Sequence, residues 1–256
     1  MKRTLITPNL DMFPKDFCKH LENATVYDSS CSPEARVYFI DKDCGYYLKT
    51  AEKGSLENEA KLAKYFHSKN LSPRVAEYIS LDKDWLLTEK AKGEDCTYCD
   101  YLADPKKLCD KIAEVLRELH ETPFQDCPVH NRTDTYIKTV FDNHSAGMFD
   151  SEFGYKSAEE AFAVVERNIK YLNSDTLIHG DYCLPNIMLD NWRFSSFIDL
   201  GNGGVSDRHI DIFWGVWTLE FNLGTNEYAE RFIDAYGRDR IEKDMLRVIA
   251  ACESFG

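Results

Sequence analysis

One stretch constrains this chain more than any other: residues 177–201, LIHGDYCLPNIMLDNWRFSSFIDLG. Two short acidic motifs sit in it, each after an apolar run. His179-Gly180-Asp181 follows Leu177-Ile178, and Asn186 comes after four more residues. Asp199-Leu200-Gly201 closes the run SSFID, 18 positions beyond Asp181. Short apolar runs that stop at a polar residue read as buried strands ending where their last side chain emerges. Either triplet alone would be an acid capping a turn. Together, in order and with Asn186 between them, they are a base and a set of oxygen donors, and the rest of the chain reads as scaffold and substrate recognition around them.

Phosphoryl transfer from a nucleotide needs few protein groups: a cation for the phosphates, oxygen ligands for Mg²⁺, and a base that orients the nucleophile. The spacing resembles the protein-kinase pattern H-R-D-x-x-x-x-N followed by D-F-G, with Gly180 in place of Arg. On that reading Asn186 and Asp199 hold Mg²⁺, a cation that prefers all-oxygen ligands. Asp181 takes the proton of an attacking hydroxyl, and His179 is a structural hydrogen-bonder. The same chemistry asks for a lysine on a strand and a glutamate on the next helix. Lys49 ends the aromatic strand GYYLK, and Glu59 lies on the helix that follows, with Glu57 as its rival.

Taken in order, residues 10–24 read as a short helix with Phe13, Phe17 and Leu21 four apart, and residues 28–33 as a turn. Residues 36–40 and 46–48 are strands about a turn at 41–45. Residues 55–68 show a helical period, with Ser55 placed to cap it. Residues 75–79 and 85–88 are two more strands. From Gly93 the chain turns helical: 105–120, 133–149, 157–172 with Ser157 and Glu160 as a capping box, 211–223, 227–236 and 241–253. Asp211 is expected to open its helix as the cap, and the resemblance to the kinase pattern implies that it also braces the catalytic loop. This order predicts an α+β fold in two lobes, a small β-rich N-lobe over residues 1–91 and a larger, mainly helical C-lobe over 92–256.

Composition excludes several classes. The net charge is −13, which repels nucleic acid and anionic membranes and favours cationic partners. No apolar run approaches the roughly 18 residues of a membrane span, and MKRTLITPNLDMF lacks the apolar core of a signal peptide. Nine scattered cysteines, an odd number, suit a reducing compartment and a cytoplasmic protein. The single CxxC, Cys96 to Cys99, has no second pair at zinc spacing and reads as structural.

The residues HGDYCLPNIMLD and FIDLGNGGVSDRHIDI carry a closer resemblance. The chain resembles the aminoglycoside O-phosphotransferases, specifically the 3′-phosphotransferases of the kanamycin kinase type. The match covers the chain from Ser32 to the C-terminal CESF and is most specific over 177–212. It implies a bilobal protein-kinase-like fold using ATP (or GTP) and Mg²⁺. It further implies that Tyr47 lies against adenine, that Ser32 sits in the loop over the phosphates, and that Glu89 and Ala91 offer adenine their backbone. Among the acids at 142–160, Asp150 and Glu152 of FDSEFG become candidates for the cationic substrate, with Glu253 and Phe255 at the C-terminus. Departures lie on the antibiotic side: Cys252 stands where Asp is frequent, Trp217 and Phe221 where an Arg and an acid are frequent, and Asn202 where Arg is frequent. The implied activity is ATP-dependent phosphorylation of an aminoglycoside hydroxyl, the 3′-hydroxyl, by a monomer or weak dimer. A kinase of another small hydroxylated metabolite and a non-catalytic nucleotide-binding scaffold are the alternatives. The intact lysine, base and metal ligands count against the scaffold.

Overall fold

The computed structural model describes residues 3–31 and 33–256. The chain divides into two units, residues 1–92 with 195–201, and residues 93–194 with 202–256. The expected boundary at 91/92 did not include the return of 195–201, the segment with Asp199, to the first unit.

The first unit is built on an antiparallel sheet in the order β1-β2-β3-β4-β6-β5. Its strands are β1 (Thr4–Ile6), β2 (Thr25–Asp28), β3 (Ala35–Asp41), β4 (Tyr46–Glu52), β5 (Val75–Ser80) and β6 (Lys83–Glu89). The first two were not read from the sequence. They are short, and β1 has a largely exposed face, so neither shows a clean alternation. Pleating sends successive side chains of β4 to opposite sides. Tyr46 and Leu48 join Trp85 and Leu87 against Phe13 and Phe17, the latter on helix α1 (Lys15–Leu21). Lys49 is paired in register with Leu86, which packs on the other side against Leu56 and Ala60 of helix α2 and its cap. The alternation of one strand therefore turns Lys49 toward the helix that follows it.

Helix α2 runs over Glu57–Ser68, and Ser55 does not cap it: its hydroxyl bonds back to the Glu52 carbonyl. Asp84, on the neighbouring strand, instead holds the turn that enters the helix, accepting the Gly54 and Leu56 N–H groups at 2.9 and 3.0 Å. A tertiary contact of this kind has no local sequence signature.

The second unit holds β7 (Glu94–Asp95), α3 (Cys99–Leu102), α4 (Pro105–His120), α5 (Arg132–Ser145), α6 (Ala158–Asn168), β8 (Thr176–Ile178) and β9 (Ile187–Asp190). Strand β10 (Arg193–Phe197) leads the chain into the first unit. After it come β11 (Gly204–Ser206), α7 (Arg208–Leu223), α8 (Ala229–Tyr236) and α9 (Lys243–Glu253). β8, fully buried, pairs with β11, and β7 pairs with β9. A core including Val165, Ile178, Ile210, Ile249 and Phe255 draws on α5, α6, α7 and α9. Helix α7 starts one turn earlier than expected, because Asp207 is its cap and accepts the His209 N–H at 2.8 Å. That leaves Asp211 inside the first turn, free for another task. No helix of the described residues is long and apolar enough to cross a membrane.

Candidate active site

In the first unit, Lys49 Nζ donates to Glu59 Oε2 at 2.8 Å and to Asp199 Oδ1 at 2.7 Å. Glu57, the rival, points outward and pairs with Lys61. Burial opposes the Lys49 ammonium, but Glu59 and Asp199 outweigh it and raise its pKa, so the lysine stays charged. Asp199 has a φ of +60°, a left-handed backbone that non-glycine residues seldom adopt. The turn is held from α2, where Asn58 Nδ2 donates to the Gly201 carbonyl at 2.7 Å. Phe197 anchors the approach, donating its N–H to the Leu71 carbonyl at 2.7 Å and setting its ring against Phe66. The Asp199 side chain remains half exposed.

Tyr47 shares the Lys49 side of β4 and lies 5.1 Å from the Phe39 ring, its hydroxyl accepting from Arg3 at 2.7 Å. Glu89 ends β6, with its N–H given to the Arg74 carbonyl and its carboxylate to the Arg74 guanidinium. Ala91 follows it and is buried. Ser32 lies outside the described residues.

In the second unit, Asp211 is the clamp. Its carboxylate is wholly buried and accepts the N–H groups of His179 and Gly180, each at 2.7 Å, and His120 Nε2 at 3.2 Å. His120 also meets the Tyr236 hydroxyl at 2.8 Å, and burial lowers its pKa, so it is a neutral ring. The strand end carrying Asp181 is thus tied to three helices at one buried carboxylate. Gly180 is required there: at φ +82°, an added Cβ would lie 1.9 Å from the Asn202 carbonyl oxygen. This is the physical reason that glycine replaces the arginine of the kinase triplet. One residue on, Asp181 accepts from Asn186 Nδ2 at 2.8 Å through Oδ2 and at 3.0 Å through its carbonyl. That bond aims one carboxylate oxygen and leaves the Asn186 oxygen to act as a ligand. The intervening turn is fixed by the Tyr182 hydroxyl on the Ile112 carbonyl and by the Leu184 N–H on Thr218.

The proposed substrate residues separate. Asp150 and Glu152 are exposed on a 3₁₀ turn, which Asp150 caps by accepting the Glu152 N–H at 2.9 Å. Glu253 is 8% exposed rather than a solvated tail, and accepts the Tyr136 hydroxyl at 2.8 Å. Phe255 is buried in the core against Phe149, Phe162 and His144, which leaves no ring face for a substrate. Sequence could not show this, because two aromatic or acidic residues near a C-terminus carry no burial pattern. Arg132 was not singled out at all. It is half-buried, its Nε has no hydrogen-bond partner among the described residues, and Nη2 donates to Asn202 Oδ1 at 3.3 Å. It reaches Asn202 from α5, a contact between residues 70 positions apart that no local pattern announces.

Burial pushes the Glu253 carboxyl up from its ordinary 4.5 to about 7, against the hydrogen bonds from Tyr136 and Trp214. Between those values the folded chain binds a proton that the unfolded chain releases. Stability therefore falls as pH rises from 4.5 to 7. Glu253→Gln keeps an acceptor for Tyr136 without the buried charge. It is expected to match the native chain at pH 5 and to exceed it by about 2 kcal/mol at pH 8. Urea unfolding at the two pH values checks this, and equal stability at pH 8 would refute it.

No cluster of three or more His, Cys, Asp or Glu side chains that could hold a metal occurs among the described residues. Cys96 is buried and Cys99 exposed, both as free thiols.

Comparison with known proteins places this geometry. A solved aminoglycoside 3′-phosphotransferase of type VIII superposes with a TM-score of 0.76 at 22% identity, covering 95% of this chain and all of that one. An aminoglycoside phosphotransferase from Streptomyces rimosus, solved with ADP and streptomycin, superposes at 0.69 and 22% identity over 86% and 91% of the two chains. These define the class of fold, that of the protein-kinase-like phosphotransferases. The sequence matches the model of the phosphotransferase enzyme family over residues 32–248. It is 49% identical, over 97% of each chain, to a probable aminoglycoside 3′-phosphotransferase of Lactococcus lactis subsp. lactis strain IL1403. The chain belongs to the phosphotransferase enzyme family, in its aminoglycoside 3′-phosphotransferase branch.

Proposed function

We propose that this enzyme transfers the γ-phosphoryl group of ATP to the 3′-hydroxyl of an aminoglycoside and so protects a cell from the antibiotic. The observation that carries this reading is the Asp181 carboxylate, aimed by Asn186 on a loop clamped by Asp211, in a chain whose charged Lys49 is gripped by Glu59 and Asp199. The relatives' names supply the acceptor class. Lys49 holds the nucleotide phosphates and Glu59 holds Lys49. Tyr47 and the backbone about Glu89 and Ala91 receive the base, and Ser32 is assigned to the phosphate loop.

Asn186 and Asp199 are the proposed Mg²⁺ ligands. An amide oxygen and a half-exposed carboxylate fit a hard cation that retains several waters. When bound, Mg²⁺ neutralises charge on the phosphates. Asp181 accepts the hydroxyl proton as the oxygen attacks phosphorus. Asp150, Glu152 and Glu253 are the acids assigned to the cationic acceptor, attracting it electrostatically. Phe255 supports Glu253 from the core, not by contact with substrate.

A coupled ADP-release assay over a panel of aminoglycosides, with the product's regiochemistry read by NMR, tests the assignment. Stimulation by kanamycin and none by a 3′-deoxy analogue is expected. Absence of stimulation by every aminoglycoside would instead favour a kinase of another small hydroxylated metabolite.

A further inference from the structure

Helix α7 carries a ladder of aromatic rings that the phosphoryl-transfer chemistry does not use. Trp214, Trp217 and Phe221 recur at helical spacing and so share one face. Trp217 and Phe221 lie stacked, with centroids 4.9 Å apart and planes at 14°. Trp214 meets Trp217 edge-on at 5.3 Å. Phe153, from the FDSEFG turn, closes the ladder on its other side, 6.0 Å from Trp214 and 6.5 Å from Trp217. Phe221 is 66% exposed. Trp214, Trp217 and Phe153 are half-buried behind it, so the ladder opens to water at its Phe221 end, where a large ordered ring is costly in water unless something lies on it.

The surroundings say what that is. The turn bearing Phe153 also bears the exposed acids Asp150 and Glu152, and it is fixed by the Asp150 N–H on the Ser254 carbonyl at 2.8 Å. Glu220, next to Phe221, is exposed as well. At the inner end, the Trp214 side chain hydrogen-bonds the buried Glu253. The ladder thus runs from a buried acid to an acid-rimmed surface, all within the second unit. Aromatic faces attract cations through the ring quadrupole and take up apolar surface. A ring that has apolar C–H faces and ammonium substituents satisfies both demands, and the carboxylate rim disfavours an anionic occupant.

We propose that Trp217 and Phe221, backed by Phe153, form the platform on which an amino-sugar ring of the acceptor stacks, with its ammonium groups on the acidic rim. The inference rests on the acceptor being an aminoglycoside.

Steady-state kinetics with kanamycin test it in Trp217→Ala, Phe221→Ala and Trp217→Phe, with thermal unfolding of each. In the two alanine variants the KM for kanamycin is expected to rise about tenfold, as loss of roughly 1.4 kcal/mol of stacking and cation–π contact implies. The KM for ATP stays within twofold, and Trp217→Phe keeps most of the native value. An unchanged kanamycin KM in folded alanine variants overturns the platform while leaving the proposed reaction intact. So does sedimentation showing that the native chain self-associates and Phe221→Ala does not, which makes the ladder an interface between copies. If native enzyme releases no ADP with any aminoglycoside, the platform and the proposed reaction both fall.

Discussion

Asp181→Asn is expected to lower kcat by roughly 10²–10⁴-fold, the usual contribution of a positioned general base. The substitution keeps the size of the side chain and an oxygen for the Asn186 amide, so the loop has no steric reason to move. What it removes is the ability to take a proton as the acceptor oxygen attacks. Nucleotide affinity should persist, because Lys49 keeps its bonds to Glu59 and Asp199 in a unit that does not contain Asp181. Titration calorimetry with a non-hydrolysable ATP analogue and single-turnover kinetics separate the two quantities. An unchanged kcat would remove Asp181 from the mechanism.

Asp211→Ala is expected to cost about 3–5 kcal/mol of stability, since it strands several buried donors at once. The N–H groups of His179 and Gly180 lose their acceptor, and His120 loses the partner of its Nε2. No water can replace the carboxylate without opening the junction of α4, α7 and the strand end. For a chain of this size the loss amounts to a fall of roughly 10 °C in the unfolding midpoint. Asp211→Asn retains one acceptor and should lose clearly less. Thermal unfolding of the pair decides the matter: equal, small losses in both would show that the carboxylate is not the clamp. Activity should fall with stability in Asp211→Ala, because the loop that aims Asp181 hangs from the same bonds.

How far the molecule could be read beforehand differs from residue to residue. The strand bearing Lys49 was legible because aromatic and β-branched residues surround it, and the helix of Glu59 because its apolar period is regular. Which glutamate meets the lysine was only weakly legible: Glu59 is preferred to Glu57 because it flanks the apolar stripe of Leu56, Ala60 and Ala63. The phase of α2 on the sheet decided it, turning Glu57 to Lys61 and Glu59 to Lys49. Asp211 reads locally as a helix cap, because caps are local and aspartate favours them, while the kinase pattern also implies that it braces the catalytic loop. The cap is Asp207, and Asp211 serves backbone groups 31 and 32 positions earlier in the chain. Ser55 does not cap α2: its hydroxyl turns back to the Glu52 carbonyl, and a carboxylate from another strand, Asp84, holds the turn before the helix.

The stretch from 177 to 201 pointed by itself to phosphotransferase chemistry, because two acids and an amide at those separations match the kinase pattern and leave few other uses. The class of fold came from the whole chain, β-rich before residue 92 and mainly helical after it, together with the family resemblance. Only the tertiary structure decided that residues 195–201 pack with the first unit, that Glu253 is a buried acid and Phe255 a core residue, and that four aromatic rings from α7 and the FDSEFG turn form one continuous ladder. Reaction chemistry depends on a few side chains at short spacing, which a sequence displays directly. Burial and recognition depend on which distant surfaces meet, and that is set by packing, in which each contact joins residues whose separation along the chain says nothing of their distance in space.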